Sequence, residues 1–353
     1  MNRTHLKPTI VLSRPKAWEY LRLIQKTFYY ILPPAILIYI FSRIDISSFF
    51  NALKNINLKF FLMGLALYPL IICVGAYRWH YLKRRMINPG IPLSFSLNNY
   101  WIGLSVGYLA PGSIGWDIYR IIAATRKYGG LIRNTFVAVT EKLSGLTICS
   151  LIIIIAFPFL DIRSNDVLNK IMVFAYIIFF SLVVLVAIGS LFSKRFGFVS
   201  RIVNRLQKSL LDKLKASRFE FSQSLSQESG EDQEIKYNFR KILPGIPVLL
   251  LLSLTIQLVA SFSIFLMIKS LGYDIPYYVP LFISPVMTFL FLLPISFGSL
   301  GIREGSYIFF YGIFGMGQEA ALLLAFLTLF GAFFNVLIGA IVMQVSSVKK
   351  IIE

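Results

Sequence analysis

Uninterrupted apolar segments of about 20 residues constrain this chain more than any other feature, because an α-helix of that length spans a bilayer. Such segments lie at about 28–43, 58–77, 134–159, 168–192, 246–268 and 319–343. Of the 353 residues, 57% are hydrophobic and 14% are charged, which leaves too little polar surface for a soluble protein. The sequence therefore predicts an all-α polytopic membrane protein with about six full spans.

The excess of basic residues predicts the topology. A formal net charge of +19 would suggest nucleic acid in a soluble protein, but no basic-aromatic nucleic-acid module is present. Lys and Arg instead collect in loops that the positive-inside rule places in the cytoplasm of a cell-membrane protein. We expect a basic N-terminus at 1–27, a first membrane half at 28–192, a polar linker at 193–245 and a second half at 246–345. Both termini and the linker are predicted to be cytoplasmic.

Two stretches rich in small residues interrupt the apolar pattern and resemble each other. The first is PGSIGWDIYR at 111–120, and the second is PISFGSLGIREG at 294–305. The residues expected to form the two turns are Pro111, Gly112, Ser113 and Gly115 in the first copy and Pro294, Gly298, Ser299 and Gly301 in the second. Irregular backbone at membrane depth requires protein cover or a wet cavity. We therefore predict two broken, re-entrant helical hairpins, at 97–127 and 276–317.

An odd number of spans separates the two predicted hairpins, so they are expected to enter from opposite sides as an inverted repeat. Transporters with inverted repeats commonly hold their substrate between the halves, near the bilayer midplane. Glycine turns leave free N–H groups at the start of the next half-helix, an arrangement that binds anions. The pattern thus predicts a substrate site between the two halves.

Charged residues in or beside the apolar segments are the candidates for that site. They are Arg78, Asp117, Arg120, Glu141, Lys142, Arg303 and Glu304. Each uncompensated charge costs about 2.5–3.5 kcal/mol inside a membrane, so these groups must pair, face water or bind a charged ligand. In the functional interpretation, Arg120 and Arg303 bind a phosphate, and the carboxylates hold a cationic group, orient the arginines or take up a proton. Structural ion pairs are the alternative, and Arg78 is equally well explained as a topology anchor.

Several classes of chemistry have no support in the sequence. Walker A, HExxH and paired CxxC patterns are absent, so we expect no cofactor, no metal site and no catalytic residues. The two cysteines, Cys73 and Cys149, lie in apolar spans and are interpreted as small core residues. The expected partners are a membrane lipid and possible coupling protons or ions, and oligomerisation is left open.

At these residues the chain resembles the transmembrane, flippase-like region of lysylphosphatidylglycerol synthases, a family that also has stand-alone members. The family pattern has an Arg-Trp after an early span, P-G-x-x-G-G-D-x-x-R, a Glu-Arg pair, and P-x-S-x-G-G-x-G-x-R-E-G near the end. Here Arg78-Trp79, the two motif stretches and Glu141-Lys142 occur in the same order. Three positions depart from the pattern, since Trp116 and Ser299 replace glycines and Lys142 replaces the arginine.

The resemblance implies movement of a lipid between leaflets, with an aminoacyl-phospholipid, a glycolipid or a polyprenyl-linked glycan as the substrate class. The family's full-length enzymes carry a soluble aminoacyl-transferase domain after the membrane region. This sequence ends at Glu353, so we expect a flippase rather than an enzyme. Two other functions remain open, namely a membrane-embedded transferase acting on a lipid-linked substrate and an accessory subunit in envelope biogenesis.

Overall fold

A computed structural model describes residues 45–108, 114–160, 166–191, 243–292 and 299–352, together with 38, 39 and 42. Throughout this part of the chain the regular structure is helical. The α-helices are α1 Ile46–Lys54, α2 Leu58–Met86, α3 Leu93–Tyr108, α4 Ile114–Tyr128, α5 Leu131–Ala156, α6 Asp166–Leu191, α7 Ile246–Ser270, α8 Tyr278–Leu292, α9 Ile302–Ile313 and α10 Gln318–Ile352. Short 3-10 helices at Phe157–Phe159 and Leu243–Gly245 extend α5 and precede α7.

Five helices in the described ranges are long and apolar enough to cross a membrane. They cover Leu58–Met86, Leu131–Phe159, Asp166–Val184, Ile246–Ser270 and Gln318–Ser346. These helices coincide with the predicted spans from the second to the sixth, so the chain is a multi-pass membrane protein. Most of the predicted first span lies outside the described residues, as do 1–27 and nearly all of the predicted linker at 193–245. The count of six spans therefore stays a prediction.

Short helix pairs occupy the positions of both predicted hairpins. Helices α3 and α4 pack against each other, as do α8 and α9. The first pair approaches closely at Gly107, where an added Cβ would lie 2.4 Å from the backbone nitrogen of Trp116. The first helix of each pair ends at Tyr108 or Leu292, and the second begins at Ile114 or Ile302. Just before Ile302, Ser299 has φ 63° and Gly301 has φ 79°. Positive φ favours glycine, which explains why the family pattern has glycine where this chain has Ser299.

Helices α2 and α7 run antiparallel and pack along most of their length. The amide of Asn57 donates to the carbonyl of Ser270 at 2.8 Å at one end of the pair. Near the other end, Arg78 Nη1 donates to Ser253 Oγ at 2.8 Å. Because residue numbers rise along α2 as they fall along α7, the two helices point in opposite directions. This pair joins the two halves of the protein.

The other helix contacts recur in corresponding pairs. Helix α3 packs on α10, and α8 packs on α5. Helix α2 contacts α3 and α5, while α7 contacts α8 and α10. Helix α4 contacts α5, and α9 contacts α10. Exchanging α2, α3, α4 and α5 for α7, α8, α9 and α10 therefore reproduces the same set of contacts.

Two clusters of buried apolar side chains hold the bundle together. The larger one joins the six helices from α5 through α10. It includes Met267, Phe282 and Tyr311, which are almost fully buried. The smaller cluster joins α2, α3, α4, α5 and α7 around Trp79 and Tyr100. The charged residues described below lie against this smaller cluster.

Candidate functional site

Three helices bring five of the predicted charged residues together. Arg78 projects from α2, Asp117 and Arg120 from α4, and Glu141 and Lys142 from α5. The spacing of three between Asp117 and Arg120 puts both on one face of α4, so their side chains meet in an ion pair. The ion pairs that link different helices join residues that are distant in the sequence.

Glu141 lies at the centre of this cluster and is 2% exposed. Its Oε2 accepts from Arg120 Nη1 at 2.9 Å, and its Oε1 accepts from Arg78 Nη2 at 3.1 Å. The hydroxyl of Tyr100 donates to the same Oε1 at 3.1 Å. A buried carboxylate needs such partners, because leaving it unpaired costs several kcal/mol.

Asp117 is the second carboxylate of the cluster. It accepts from Arg120 Nη2 at 2.6 Å and from the ammonium of Lys142. Arg120, which is 3% exposed, therefore bridges the two carboxylates with its two terminal nitrogens. Lys142 keeps the position and sign of the arginine in the family pattern, and its role here is to pair with Asp117.

Aromatic rings surround the Arg120 guanidinium. Its Cζ lies 4.5 Å from the ring centroid of Tyr100, 5.1 Å from that of Trp116 and 5.2 Å from that of Trp79. A cation over an aromatic face gains about 0.5–2 kcal/mol, most when it is desolvated. Trp116, which departs from the family's glycine, thus contributes directly to the surroundings of Arg120.

The second half of the protein contributes polar groups from α7. Ser253 accepts from Arg78, as described above, and Gln257 Nε2 donates to Ser284 Oγ at 2.9 Å. Gln257 also lies 3.7 Å from the thiol of Cys149. These contacts place the charged cluster at the boundary between the two halves.

A cavity of about 340 Å³ opens against the cluster, within the range of small-molecule sites. Its polar wall consists of Arg78, Tyr100, Asp117, Arg120, Glu141, Lys142, Ser253, Gln257 and Thr288. Its apolar wall includes Ile71, Ile72, Trp116, Leu146, Ile256 and Leu292. The cavity is therefore amphipathic, with ionic groups facing hydrocarbon side chains.

Arg303 and Glu304 do not line this cavity. Arg303 is 8% exposed, and its Cζ lies 5.1 Å from the ring centroid of Phe291. Glu304 is fully buried and accepts a hydrogen bond from the amide of Gly301. That amide belongs to the glycine turn where we expected a substrate phosphate, and the protein's own carboxylate occupies it.

The turn residues are only partly described. Gly115 lies at the start of α4, and Ser299 and Gly301 precede α9. The remaining members, Pro111, Gly112, Ser113, Pro294 and Gly298, lie outside the described residues. Their proposed contact with phosphate stays a prediction.

Sequence reasoning did not select three residues that the structure places in or behind the site. Tyr100 and Ser253 contact the ionic cluster directly, and the only sequence signal for them is a polar side chain within an apolar helix. Lys83 is fully buried, with its Nζ 3.4 Å from the ring centroid of Trp79 and without a hydrogen-bond acceptor among the described residues. Lys83 precedes Arg84 and Arg85, and the positive-inside rule alone would assign such a basic run to the cytoplasmic end of a span.

No three His, Cys, Asp or Glu side chains in the described ranges are grouped so that they could hold a metal ion. The comparison with curated proteins finds no match. A family model does match, over residues 28–339, and it covers all of the charged residues predicted for the site. Its description is "Lysylphosphatidylglycerol synthase TM region". The chain therefore belongs to the family of the lysylphosphatidylglycerol synthase transmembrane region.

Proposed function

We propose that this protein is a flippase that moves a lipid headgroup across the cell membrane through the cavity between its two halves. The observation that carries the proposal is the amphipathic cavity, which puts five charged side chains opposite an apolar wall inside a helical membrane bundle. A lipid has the same division between a polar headgroup and hydrocarbon. Aminoacyl-phospholipids, glycolipids and polyprenyl-linked lipids are the candidate substrate classes.

The energetic cost of the cluster supports a role in binding. Five charges inside a membrane cost about 12–18 kcal/mol before pairing. Salt bridges among them offset this cost, but apolar side chains of similar volume commonly give equal or better stability than a buried ion pair. Retention of the charges is therefore more easily explained by a polar ligand than by stability alone.

The reciprocal helix contacts support an inverted repeat. Helices α2 and α7 are antiparallel, and the main contacts among α2, α3, α4 and α5 have counterparts among α7, α8, α9 and α10. In transporters built this way, rocking of one half against the other exposes a central site to each side alternately. The cavity at the boundary between the halves suits this mechanism, with both termini in the cytoplasm and no enzymatic step.

A transferase is less well supported by the geometry. A general base needs a carboxylate that is free to accept a proton from the substrate. Glu141 is held by Arg78 and Arg120, and Asp117 is held by Arg120 and Lys142. All four oxygens of the two carboxylates therefore already accept from a cationic group.

A scrambling assay tests the flippase proposal. Purified protein is reconstituted into liposomes containing a fluorescent phospholipid, and a membrane-impermeant reductant measures the fraction of probe that reaches the outer leaflet. We expect Glu141→Gln to slow scrambling about tenfold or more, because both arginines lose their shared charged partner. The matched control is Lys170→Gln, which removes a charge from an exposed side chain on α6, away from the cavity.

Equal rates for the wild type, Glu141→Gln and protein-free liposomes would contradict the proposal. Thermal unfolding of each variant in detergent shows whether a slow rate reflects lost folding. Asp117→Asn provides a second variant, since Asp117 is more exposed than Glu141 and its substitution disturbs the core less. Release of a covalently modified lipid by the purified protein would instead support a transferase.

A further inference from the structure

One face of α7 carries three buried polar side chains in a row. They are Ser253, Gln257 and Ser261. Their spacing of four residues places them one above the other along the helix, over about 12 Å. Because Ser253 accepts from Arg78, this polar face begins at the ionic cluster, and it continues towards the Ser270 end of α7.

Polar groups on and just before α8 meet the same face. Ser284 Oγ accepts from Gln257 Nε2 at 2.9 Å, and the hydroxyls of Tyr277 and Ser261 lie 3.0 Å apart. Gln257 belongs to the cavity wall, whereas Ser284, Ser261 and Tyr277 do not line the cavity. The polar groups therefore continue beyond the end of the cavity. We call Gln257, Ser261, Tyr277 and Ser284 the polar seam.

The far end of the polar seam lies beside an exposed apolar surface. Leu258 and Phe262 are close to Ser261 on α7, and both are exposed. The hydroxyl of Tyr277 also lies 3.2 Å from the carbonyl oxygen of Leu258. Exposed apolar side chains on a membrane-spanning helix contact lipid acyl chains. Polar groups and a lipid-facing apolar surface are thus neighbours here, as are the headgroup and the acyl chains of a lipid.

Polar side chains in membrane helices can also serve only to join one helix to another. Ser263 is such a residue, since it is almost fully buried and its hydroxyl donates to the carbonyl of Gly64 on α2. The polar seam differs from this contact in being continuous with the cavity, because Gln257 belongs to both. Ser263 therefore provides an internal control on the same helix.

We propose that the polar seam is the route by which the headgroup moves between the cavity and the Ser270 end of α7. Separation of α7 from α8 opens this route, and the acyl chains pass along Leu258 and Phe262. A headgroup that leaves water loses hydrogen bonds, and the hydroxyl and amide groups of the seam replace them. These groups both donate and accept, so they suit each candidate substrate class. The inference rests on the proposed function, because it names the path of that movement.

Labelling of single cysteines tests whether the seam opens to water. Cys73 and Cys149 are first replaced by serine in the full chain, and then Ser261→Cys, Ser284→Cys or the control Ser263→Cys is introduced. Protein in liposomes is treated with a charged, membrane-impermeant methanethiosulfonate, which reacts with a thiolate in water. We expect labelling at positions 261 and 284 to be at least about tenfold faster than at position 263, although all three serines are buried. Equal rates at the three positions, fast or slow, would overturn the proposal.

Removal of the seam hydroxyls distinguishes movement of the lipid from its binding. We expect the double variant Ser261→Ala/Ser284→Ala to scramble fluorescent phosphatidylglycerol about tenfold more slowly, because the headgroup loses polar partners on its route. Its affinity for the same lipid in detergent is expected to stay within about twofold of the wild-type value, because the charged wall of the cavity is intact.

The matched control is Ser263→Ala/Ser270→Ala, which removes two buried hydroxyls of α7 outside the seam. We expect this control to keep both the scrambling rate and the affinity. Thermal unfolding in detergent shows that each variant is folded. Equal scrambling rates in the two double variants would overturn the proposed route.

The two experiments separate this inference from the proposed function. Scrambling by the wild type that is unaffected by the seam variants would keep the flippase and overturn the seam as its route. Absence of scrambling by the wild type, with fast labelling at positions 261 and 284, would reject the flippase and the headgroup route together. Fast labelling combined with slow scrambling in the seam variant is the result that supports both.

Discussion

At the scale of single residues, Arg120 and Lys83 show two ways to bury a basic side chain. Arg120 has a carboxylate on each terminal nitrogen and aromatic rings around its plane. Within the described part of the chain, Lys83 Nζ lies against two ring faces, those of Trp79 and Phe95, at 3.4 and 4.4 Å, and has no hydrogen-bond acceptor. A cation–π contact recovers about 2 kcal/mol at a desolvated site, less than the several kcal/mol that burying an ammonium costs.

Lys83 is therefore expected to reduce stability. Lys83→Met keeps the length of the side chain and removes the buried amino group, which has no hydrogen-bond acceptor among the described residues, so we expect it to raise the free energy of unfolding by about 1–3 kcal/mol. Thermal unfolding in detergent measures the change, with exposed Lys59→Met as the control. A lower melting temperature for Lys83→Met would show that the ammonium has a favourable partner or role at this position.

At the scale of helices, the site depends on how closely α4 lies against α3. Gly107 faces the backbone of Trp116, and Trp116 in turn packs on Tyr100 with ring centroids 4.9 Å apart. Tyr100 and Arg120 meet through this same helix pair. A side chain at position 107 would separate the helices and displace the residues that hold Glu141.

Gly107→Ala tests this dependence. Its Cβ would lie 2.4 Å from a backbone nitrogen, which no rotamer change relieves, so we expect a loss of about 1–3 kcal/mol in stability and slower scrambling. Gly312→Ala is the matched control, because it adds the same methyl group at an exposed position of α9 with no atom within 4 Å. Similar melting temperatures for the two variants would contradict the close approach of α3 and α4.

At the scale of the whole molecule, helices α2 and α7 join the halves through two serine contacts of different character. Ser253 Oγ accepts from Arg78 beside the cavity. Ser263 Oγ donates to the carbonyl of Gly64 at 2.8 Å, farther along the same helix pair. Both contacts stabilise the interface, but only Ser253 contacts the ionic cluster.

Substituting the two serines should therefore distinguish an effect on stability from an effect on transport. We expect Ser253→Ala and Ser263→Ala each to cost about 1–2 kcal/mol of stability, the usual penalty for a buried group that loses its hydrogen bond. Scrambling is expected to fall in Ser253→Ala, because Arg78 loses its second partner, and to stay near the wild-type rate in Ser263→Ala. Equal scrambling in the two variants would argue against a role for the Arg78–Ser253 contact.

Much of this protein followed from local properties of the sequence. Apolar length predicted the spans that α2, α5, α6, α7 and α10 provide, because the hydrocarbon thickness sets a minimum helix length whatever the neighbouring helices are. The cost of a charge inside a membrane likewise selected Asp117, Arg120, Glu141 and Lys142, which the structure brings into one ionic cluster. Both arguments use one segment at a time.

Which side chains meet was decided only by the tertiary structure. Nothing in the sequence separated Arg303 and Glu304 from the other charged residues, yet they lie apart from the cavity, and Tyr100 and Ser253 take part instead. The rotation of each helix about its axis and the closeness of its neighbours determine these contacts. Those quantities depend on the packing of the whole bundle, so no single segment contains them.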